Sequence, residues 1–315
     1  MKALLRSLVA ALALAALPAL AAEQFINVLT GGTSGVYYPL GVALSGLIGK
    51  AVPGAKTSVQ ATKASVENLN LLQAGRGEIA FTLGDSLSDA WKGSKDAGFE
   101  TPLKKLRGIA AIYPNYIQIV ARADAGIKTL ADLKGKKISV GAPKSGTELN
   151  ARVILAAAGI AYKDFAKVEY LPFGESVELM KNRQIDVTLQ SAGLGVSALR
   201  DLATSMDVVV VAIPPDVIKK TNDPAYLAAT IPANTYRGQT TDVPAAAVQN
   251  YLVTQDGVST DVVYGITKAL WTNLDGLVAA HSAAKAIDLK HALDGMPVPL
   301  HPGAEKYYRE VGVIK

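Results

Sequence analysis

The sequence contains no cysteine and only three histidines among its 315 residues. Without cysteine there can be no disulfide, no thiolate nucleophile and no cysteine-ligated zinc, so the core must supply the stability of the fold. None of the histidines has the H-x-x-x-H or H-E-x-x-H spacing of a zinc site. They are His281, His291 and His301. We therefore expect no metal, no cofactor and no catalytic residue.

Long apolar runs are missing beyond the amino-terminal segment. Residues 1–22 combine Lys2 and Arg6 with an apolar run from Leu8 to Leu17 and small residues before a cleavage point near Ala22. This is the pattern of a secretory signal peptide. The run is shorter than the roughly 20 apolar residues that a membrane helix needs. We expect residues 1–22 to be removed and the mature protein to reside in the periplasm.

A strong net charge is absent as well. The formal net charge is +5, and it falls to +3 when Lys2 and Arg6 leave with the signal peptide. The other lysines and arginines are scattered, apart from short clusters at 104–107 and 134–137. Scattered charge is typical of solvated loops and argues against a nucleic-acid partner. The full sequence has 50% hydrophobic residues, and the mature part is long enough for two globular domains of ordinary size.

Strand-like and helix-like segments alternate along the mature sequence, a pattern that predicts an α/β protein with mostly parallel sheets. The strands predicted near its middle are Ile109–Tyr113 and Ile117–Ala121. There is also a faint internal repeat: Ser65-Val-Glu, a helix and a strand ending at Leu83 resemble Ser176-Val-Glu, a helix and a strand ending at Leu189. Two lobes built on one plan would produce this repeat.

The most informative segment is Thr30-Gly-Gly-Thr-Ser-Gly-Val-Tyr-Tyr-Pro-Leu-Gly41. A short apolar strand ends at Leu29, and an apolar run that begins a helix follows from Leu40. The glycines leave backbone N–H groups uncovered, and together with a helix start they suit a carboxylate or another anion. The spacing matches neither the dinucleotide loop nor the phosphate loop. From the residues alone, a ligand loop and a plain turn both stay open.

Polar residues at other helix starts and strand ends extend this candidate site. Ser65 would cap one helix, and Ser145-Gly-Thr-Glu148 has the spacing of a capping box. Asp85 follows a strand, where it serves as an ammonium acceptor or as a turn residue. Plain capping also stays open for the serines. The predicted ligand-binding residues are Thr33, Ser34, Tyr37, Ser65, Asp85, Tyr113, Ser145, Gly146, Thr147 and Ser191.

A cation for the carboxylate is harder to assign from the sequence. Arg122 and Arg152 are the candidates by their position. We favour donation from hydroxyl groups and helix-start N–H groups over either arginine. Tyr37 and Tyr113 would add aromatic walls with a hydroxyl at the tip.

The segment from Thr30 to Gly41 resembles the opening motif of the TAXI family, the solute-binding proteins of one class of TRAP transporters. Further stretches resemble landmarks of that family in the same order, and together they span nearly the whole mature sequence. They are Ser65-Val-Glu-Asn-Leu69, the stretch Ile127 to Glu148, Ala229-Thr-Ile-Pro-Ala-Asn-Thr-Tyr236 and Val298-Pro-Leu-His-Pro-Gly-Ala304. The second of these is shared by many periplasmic binding proteins, whereas the opening and last motifs are typical of this family.

This resemblance implies a type II periplasmic binding protein fold. Such a fold has two lobes, each a mostly parallel sheet flanked by helices, with the ligand cleft between them. We expect lobe I to comprise residues 23–113 and 245–315, and lobe II to comprise residues 114–244. Two strands, around Ile117–Ala121 and Val248–Val253, would join the lobes.

The resemblance also implies a function. The protein would be a monomeric receptor that captures a small carboxylate-bearing solute, either an amino acid such as glutamate or a dicarboxylate such as 2-oxoglutarate. It would deliver this solute to the integral membrane subunits of a TRAP-type secondary transporter. The alternatives are the receptor of an ABC importer, a periplasmic hydrolase or lyase, and a sensory module.

Overall fold

The computed structural model describes residues 23–315, so the predicted signal peptide lies outside the described residues. Between residues 23 and 315, no helix has both the length and the apolar character needed to cross a membrane.

Ten strands in the described part of the chain join into one sheet. They are β1 (Gln24–Leu29), β2 (Ala55–Gln60), β3 (Ile79–Leu83), β4 (Leu106–Arg122), β5 (Lys137–Ser139), β6 (Lys167–Glu169), β7 (Val187–Ala192), β8 (Val208–Val211), β9 (Leu227–Ile231) and β10 (Val243–Gln255).

Helices cover this sheet. They are α1 (Tyr37–Ala51), α2 (Ser65–Gln73), α3 (Gly84–Lys92), α4 (Gly146–Ala157), α5 (Phe173–Lys181), α6 (Ser197–Ser205), α7 (Pro215–Lys219), α8 (Thr260–Thr272), α9 (Leu274–Ala280) and α10 (Pro302–Glu310). Short 3-10 turns occupy Lys95–Ala97, Ala123–Ala125, Leu130–Leu133, Tyr162–Asp164, Ser282–Ala286 and Leu289–His291.

The sheet is organised around two long antiparallel strands, β4 and β10. On one side β10 pairs with β3, and the parallel strands β1 and β2 follow. On the other side β4 pairs with β7, and the parallel strands β5 and β6 follow. The short strands β8 and β9 pair with β4 and β10 respectively. The mixed sheet with parallel outer strands and covering helices confirms the predicted α/β class.

The predicted strands Ile109–Tyr113 and Ile117–Ala121 are parts of one continuous strand, β4. Pro114 does not end this strand, because it pairs with Gln249 of β10 next to a register shift that accommodates the missing N–H donor. The predicted lobe border at residues 113–114 falls inside β4, and the border at residues 244–245 falls inside β10. The division into lobes I and II stays a prediction, and we use these names for the residue ranges given above.

Burial along the strands follows their position in the sheet. All five residues of β3, Ile-Ala-Phe-Thr-Leu, are buried, as expected for a strand that helices cover on both faces. The edge strand β2 alternates between partly buried and exposed residues, and its sequence is correspondingly polar. The apolar pattern therefore distinguishes inner from outer strands before any pairing is known.

Helix α1 begins earlier than its apolar run predicts. The run starts at Leu40, whereas the helix starts at Tyr37. Pro39 is compatible with this start, because a proline in the first helical turn lacks only an N–H that has no acceptor within the helix. The earlier start brings Tyr37 to the end of the glycine-rich loop.

Candidate functional site

A cavity of about 100 Å³ opens among the loops between the two groups of strands. Its wall is built by the β1–α1 loop, the starts of α2, α4 and α5, and residues of β3, β4 and β7. The lining residues are Gly31, Gly32, Gly35, Val36, Tyr37, Thr62, Lys63, Ala64, Ser65, Leu83, Tyr113, Asn115, Ala142, Ser145, Gly146, Thr147, Pro172, Phe173, Ser191 and Ala192. Loops that leave the carboxyl ends of strands are the usual ligand-binding region of α/β folds.

Two helices of lobe I begin at this cavity. Helix α1 follows Val36 and helix α2 follows Ala64, and in neither case does a side chain cap the helix start. The Ser65 hydroxyl instead accepts a hydrogen bond from the backbone N–H of Leu83, at 3.1 Å. This bond fixes the start of α2 to the end of β3 and places both at the cavity wall.

Two helices of lobe II also begin at the cavity. Ser145 caps α4, because its hydroxyl accepts a hydrogen bond from the Glu148 N–H at 3.1 Å. The N–H groups of Gly146 and Thr147, in the first turn, have no acceptor within the helix. Helix α5 begins at Phe173 without a side-chain cap.

The electrostatics of the cavity follow from these four helix starts. Each helix start carries a partial positive charge of about half an elementary charge, and together they favour an anion. Among the described residues that line the cavity, only Lys63 carries a formal charge, and its side chain is exposed. The cavity therefore presents positive potential from helix ends without a buried cation.

Tyr113 supplies a polar group with no partner. Its side chain is 1% exposed, and its hydroxyl oxygen has no hydrogen-bond partner among the described residues. Burial raises the Tyr113 pKa well above its ordinary value, so the hydroxyl stays neutral. Leaving a buried hydroxyl unpaired costs about 1–3 kcal/mol. A ligand in the cavity, which Tyr113 lines, would remove this cost.

An amide network holds the floor of the cavity. Asn250 donates to the Asn115 side-chain oxygen at 2.7 Å and to the Tyr113 carbonyl at 2.8 Å. Asn115 in turn donates to the Ser191 carbonyl at 3.0 Å, and Tyr37 donates to the Asn250 side chain. The network joins α1, β4, β7 and β10, so it fixes the positions of Tyr37 and Tyr113.

Seven of the ten predicted residues line the cavity: Tyr37, Ser65, Tyr113, Ser145, Gly146, Thr147 and Ser191. Thr33 and Ser34 do not line it. Thr33 lies on the outer turn of the glycine loop and is exposed. The Ser34 carbonyl accepts hydrogen bonds from the Ser197 hydroxyl at 2.8 Å and from the Ala198 N–H at 3.3 Å. Ser34 therefore connects the loop to α6.

Asp85 also lies off the cavity wall, because other side chains hold its carboxylate. It is 5% exposed and accepts hydrogen bonds from Asn150 at 2.5 Å, Tyr226 at 2.8 Å and the Ser86 N–H at 2.6 Å. The Asn150 side-chain oxygen accepts a hydrogen bond from the Ser191 hydroxyl. Asp85 is thus connected to the cavity by hydrogen bonds through Asn150 and Ser191.

We expect the stability that Asp85 contributes to fall as the pH rises. Burial is the largest cause that raises the Asp85 pKa, from 3.8 to about 6. The folded protein therefore holds this proton more tightly than the unfolded chain. The stabilisation that Asp85 contributes is fully present below pH 4 and is lost as the pH rises past 6. The loss is about 3 kcal/mol, since one pKa unit corresponds to about 1.4 kcal/mol.

Denaturant unfolding of the wild type and Asp85→Asn at pH 4, 5, 6 and 7 measures this effect. Asparagine cannot ionise, so the difference in unfolding free energy between the two proteins should change over this range in favour of the variant. A difference that is constant from pH 4 to pH 7 would show that the Asp85 pKa is close to its ordinary value.

The two candidate arginines are engaged elsewhere. Arg122 pairs with Asp186 at 2.9 Å, and Arg152 pairs with Glu148 at 2.6 Å. Neither arginine lines the cavity. Lys63, Asn115 and Phe173 also line the cavity, although the sequence did not predict them. A polar Asn115 inside a mostly apolar strand was an available signal, because such a residue requires buried partners.

The histidines lie away from the cavity. His301 caps α10 by accepting a hydrogen bond from the Gly303 N–H at 3.1 Å, and its other ring nitrogen lies 2.9 Å from the Val258 carbonyl oxygen. His281 accepts from the Ala283 N–H at 3.1 Å. Across residues 23–315, no group of three or more His, Cys, Asp or Glu residues is arranged to hold a metal ion.

Several solved structures have a similar fold. The periplasmic binding protein BugD is 12% identical, with coverage of 92% of this chain and 98% of that chain and a TM-score of 0.59. PhnD1 from Prochlorococcus marinus (MIT 9301), in complex with methylphosphonate, is 14% identical, with coverage of 92% and 99% and a TM-score of 0.58.

A third similar structure is the alkanesulfonate-binding protein SsuA from Xanthomonas axonopodis pv. citri bound to MOPS. It is 14% identical, with coverage of 92% of this chain and 85% of that chain and a TM-score of 0.51. At these identities the likeness shows the fold alone. The chain has the fold of periplasmic binding proteins, and the predicted fold class is confirmed.

The sequence matches the profile of the NMT1-like family over residues 28–312, which covers almost all of the described chain. The narrower resemblance to the TAXI family stays a prediction. The chain belongs to the NMT1-like family.

Proposed function

We propose that this protein is a periplasmic receptor that binds a small anionic solute, in particular a carboxylate, and delivers it to a membrane transporter. The observation that carries the proposal is the meeting of four helix starts around one cavity that also contains the unpaired Tyr113 hydroxyl. The family and the fold support it, because the similar structures are binding proteins.

The bound carboxylate would accept hydrogen bonds from the N–H groups of Gly146 and Thr147 at the start of α4. The positive end of α2 faces the same space, so the anion would be held from both predicted lobes. The two helix starts already touch, since the Glu67 N–H donates to the Lys144 carbonyl at 3.2 Å. This arrangement corresponds to a closed form, which a solute that contacts both sides would stabilise by a shift in population.

The motifs in the sequence support one class of membrane partner. Resemblance of the Thr30–Gly41 segment to TAXI proteins supports the membrane subunits of a TRAP-type transporter. One similar structure, described as a putative L-cystine ABC transporter from Listeria monocytogenes, favours an ABC importer as the second candidate. A neighbouring gene for large fused membrane subunits would support the first partner, and a neighbouring ATPase gene would support the second.

The receptor function predicts that small carboxylic acids stabilise the mature protein. Protein that has been unfolded and refolded to remove bound solute should gain about 2.7 kcal/mol of stability when a solute is present at a hundred times its Kd. A thermal-shift screen with organic acids at about 1 mM measures this gain. Mass spectrometry of the recovered solute would distinguish unchanged release by a receptor from turnover by an enzyme.

Tyr113→Phe tests whether this cavity is the binding site. Loss of the hydroxyl should weaken solute binding by about 1 kcal/mol and leave the ligand-free protein equally or more stable, because an unpaired buried group has been removed. Tyr308→Phe is the matched control, since the Tyr308 hydroxyl donates to the Ile109 carbonyl at 2.8 Å, away from the cavity lining. The control should lose stability and keep its affinity. If Tyr308→Phe weakened solute binding and Tyr113→Phe left it unchanged, this cavity would be excluded as the binding site.

A further inference from the structure

We propose that Asp85, Asn150 and Tyr226 form a proton-sensitive latch, which holds the two predicted lobes together in acid and releases them as the pH rises. Asp85 belongs to lobe I, whereas Asn150 and Tyr226 belong to lobe II. We call these three residues the Asp85 latch. The inference goes beyond solute capture, because it concerns the motion between the lobes and not the identity of the solute.

The latch is a triangle of buried hydrogen bonds. The Asn150 amide donates to Asp85 Oδ2 at 2.5 Å and to the Tyr226 hydroxyl at 2.9 Å, and this hydroxyl donates to Asp85 Oδ2 at 2.8 Å. Asp85 and Tyr226 are each 5% exposed, and Asn150 is fully buried. Two of the three bonds cross from one predicted lobe to the other. Parting of the lobes would therefore break both bonds and bring water to the Asp85 carboxylate.

The surroundings of Asp85 oppose its ionisation in the closed form. The donors that reach its oxygens are an amide, a phenol and a backbone N–H, none of which is charged. Burial is the largest cause that raises the Asp85 pKa, to about 6, and the negative charges of Asp89 and Asp223 act in the same direction. The hydrogen bonds from Tyr226 and from the Ser86 N–H lower this pKa in part. The balance favours a neutral carboxyl group in acid.

Other titratable groups on the elements packed against α3 are engaged elsewhere or neutral. On α4, Glu148 pairs with Arg152 at 2.6 Å. On α2, Glu67 accepts from the Lys63 N–H at 2.5 Å. Burial raises the pKa of Tyr37 on α1, so its hydroxyl stays neutral. The remaining ionisable residues on α3 and on the elements packed against it are Lys92, Lys95, Asp96 and Tyr251.

The latch can stay hydrogen-bonded when it takes up a proton. A hydroxyl both donates and accepts, so the Tyr226 hydroxyl can accept a hydrogen bond from protonated Asp85 and can donate one to the ionised form. The Asn150 amide donates to an oxygen of either form. Protonation therefore removes a buried charge without leaving a buried polar group unpaired.

Closing of the lobes consequently takes up a proton. When the lobes part, Asp85 regains water and its pKa returns toward the ordinary value of 3.8. The closed form holds the proton more tightly, so closure is favoured in acid and is lost as the pH rises past 6. With a pKa of 3.8 in the open form and about 6 in the closed form, the ratio of closed to open molecules changes about tenfold between pH 5 and pH 8.

The latch also reaches the cavity. The Asn150 side-chain oxygen accepts a hydrogen bond from the Ser191 hydroxyl, and Ser191 lines the cavity. Asp85 holds the amide end of the same side chain, so it fixes the direction of the oxygen that Ser191 contacts. Asp85 is thus a positioning residue for Ser191. Release of the latch would open the cavity and free this hydroxyl at the same time.

Single-molecule FRET on the refolded, solute-free mature protein tests the latch. The chain has no cysteine, so Ala61→Cys and Lys167→Cys place the two dyes on exposed positions of lobe I and lobe II. We expect two populations, with a closed-to-open ratio about tenfold higher at pH 5 than at pH 8. Asp85→Asn should abolish this pH dependence. Asp89→Asn is the matched control on the same helix and should retain it.

A second variant tests the contact itself. Tyr226→Phe keeps the ring but removes the hydroxyl that bonds to Asp85, so the closed-to-open ratio at pH 5 should fall about fivefold, the equivalent of one hydrogen bond. Tyr162→Phe is its control, because the Tyr162 hydroxyl lies 3.1 Å from Glu148 within lobe II. An unchanged ratio in Tyr226→Phe would exclude this contact as the one that holds the lobes.

Three further results would overturn the inference. A wild-type ratio that is constant between pH 5 and pH 8 would show that closing takes up no proton. An equal pH response in Asp85→Asn would assign the proton to another group. A single distance at every pH would show that the lobes do not part. Since no solute is present, these results are independent of the receptor function, which the thermal-shift screen tests separately.

Discussion

Gly146→Val is expected to weaken solute binding by roughly 10- to 100-fold while the ligand-free protein stays folded. A Cβ atom at Gly146 would lie 2.6 Å from Leu83 Cδ1 and 2.7 Å from Ser65 Oγ. Glycine thus allows α4 of lobe II to approach the start of α2 in lobe I. Overpacking of such a contact costs about 1–3 kcal/mol, and about 1.4 kcal/mol corresponds to a tenfold change in Kd.

Calorimetry and thermal unfolding of the same variant separate two outcomes. If the lobes part without solute, the clash acts only in the closed form, so affinity falls and ligand-free stability is nearly unchanged. Gly46→Val is the control, because nothing lies within 4 Å of a Cβ atom at this exposed position of α1. Unaltered affinity in Gly146→Val would refute the close approach of the two helices. Equal destabilisation with and without solute would argue against an opening motion.

Gly303→Ala is expected to lower the free energy of unfolding by about 3 kcal/mol, the upper part of the range for overpacked sites. An added Cβ atom would overlap the Thr260 carbonyl oxygen and lie 2.6 Å from the Tyr264 nitrogen. Both are backbone atoms of α8, so no change of side-chain rotamer removes the clash. Helix α10 would have to move away from α8, although the Tyr308 hydroxyl also ties α10 to β4.

Denaturant unfolding measures this loss against Gly276→Ala. Gly276 lies in α9, is exposed, and has nothing within 4 Å of an added Cβ atom. Alanine there should be neutral or stabilise the protein by about 0.5–1 kcal/mol, as expected for glycine replacement inside a helix. Similar stability of the two variants would mean that α10 packs less closely on α8 than the structure shows.

Several hydrogen bonds near the cavity join residues of the two predicted lobes. Asp85 accepts from Asn150 and Tyr226, Ser34 accepts from Ser197 and Ala198, and Lys144 accepts from Glu67. Each contact joins a residue of lobe I to residues of lobe II. Their free energies add to that of the solute in the closed form, so their loss should weaken binding even though none of these groups is expected to touch the solute.

Much of the site was accessible from the sequence because helix starts have local signals. Ser145 and Glu148 have the spacing of a capping pair, and the structure shows the Ser145 hydroxyl as the cap of α4. The expectation that Ser65 caps a helix is wrong, because its hydroxyl accepts from the Leu83 N–H and α2 has no side-chain cap. Thr33 and Ser34 do not line the cavity, and a glycine-rich loop has no periodicity from which to derive the direction of each side chain.

The sequence by itself determined the α/β class, the buried inner strands and most of the helix starts around the cavity. These features depend on hydrophobic periodicity and capping residues, which act over a few neighbouring positions. Only the tertiary structure decided that Asp85 is held by Asn150 and Tyr226, which lie 65 and 141 residues further along the chain. It also decided that Tyr113 is left unpaired at the cavity. A hydrogen bond needs two atoms within about 3 Å, and local sequence patterns do not specify the distance between remote segments.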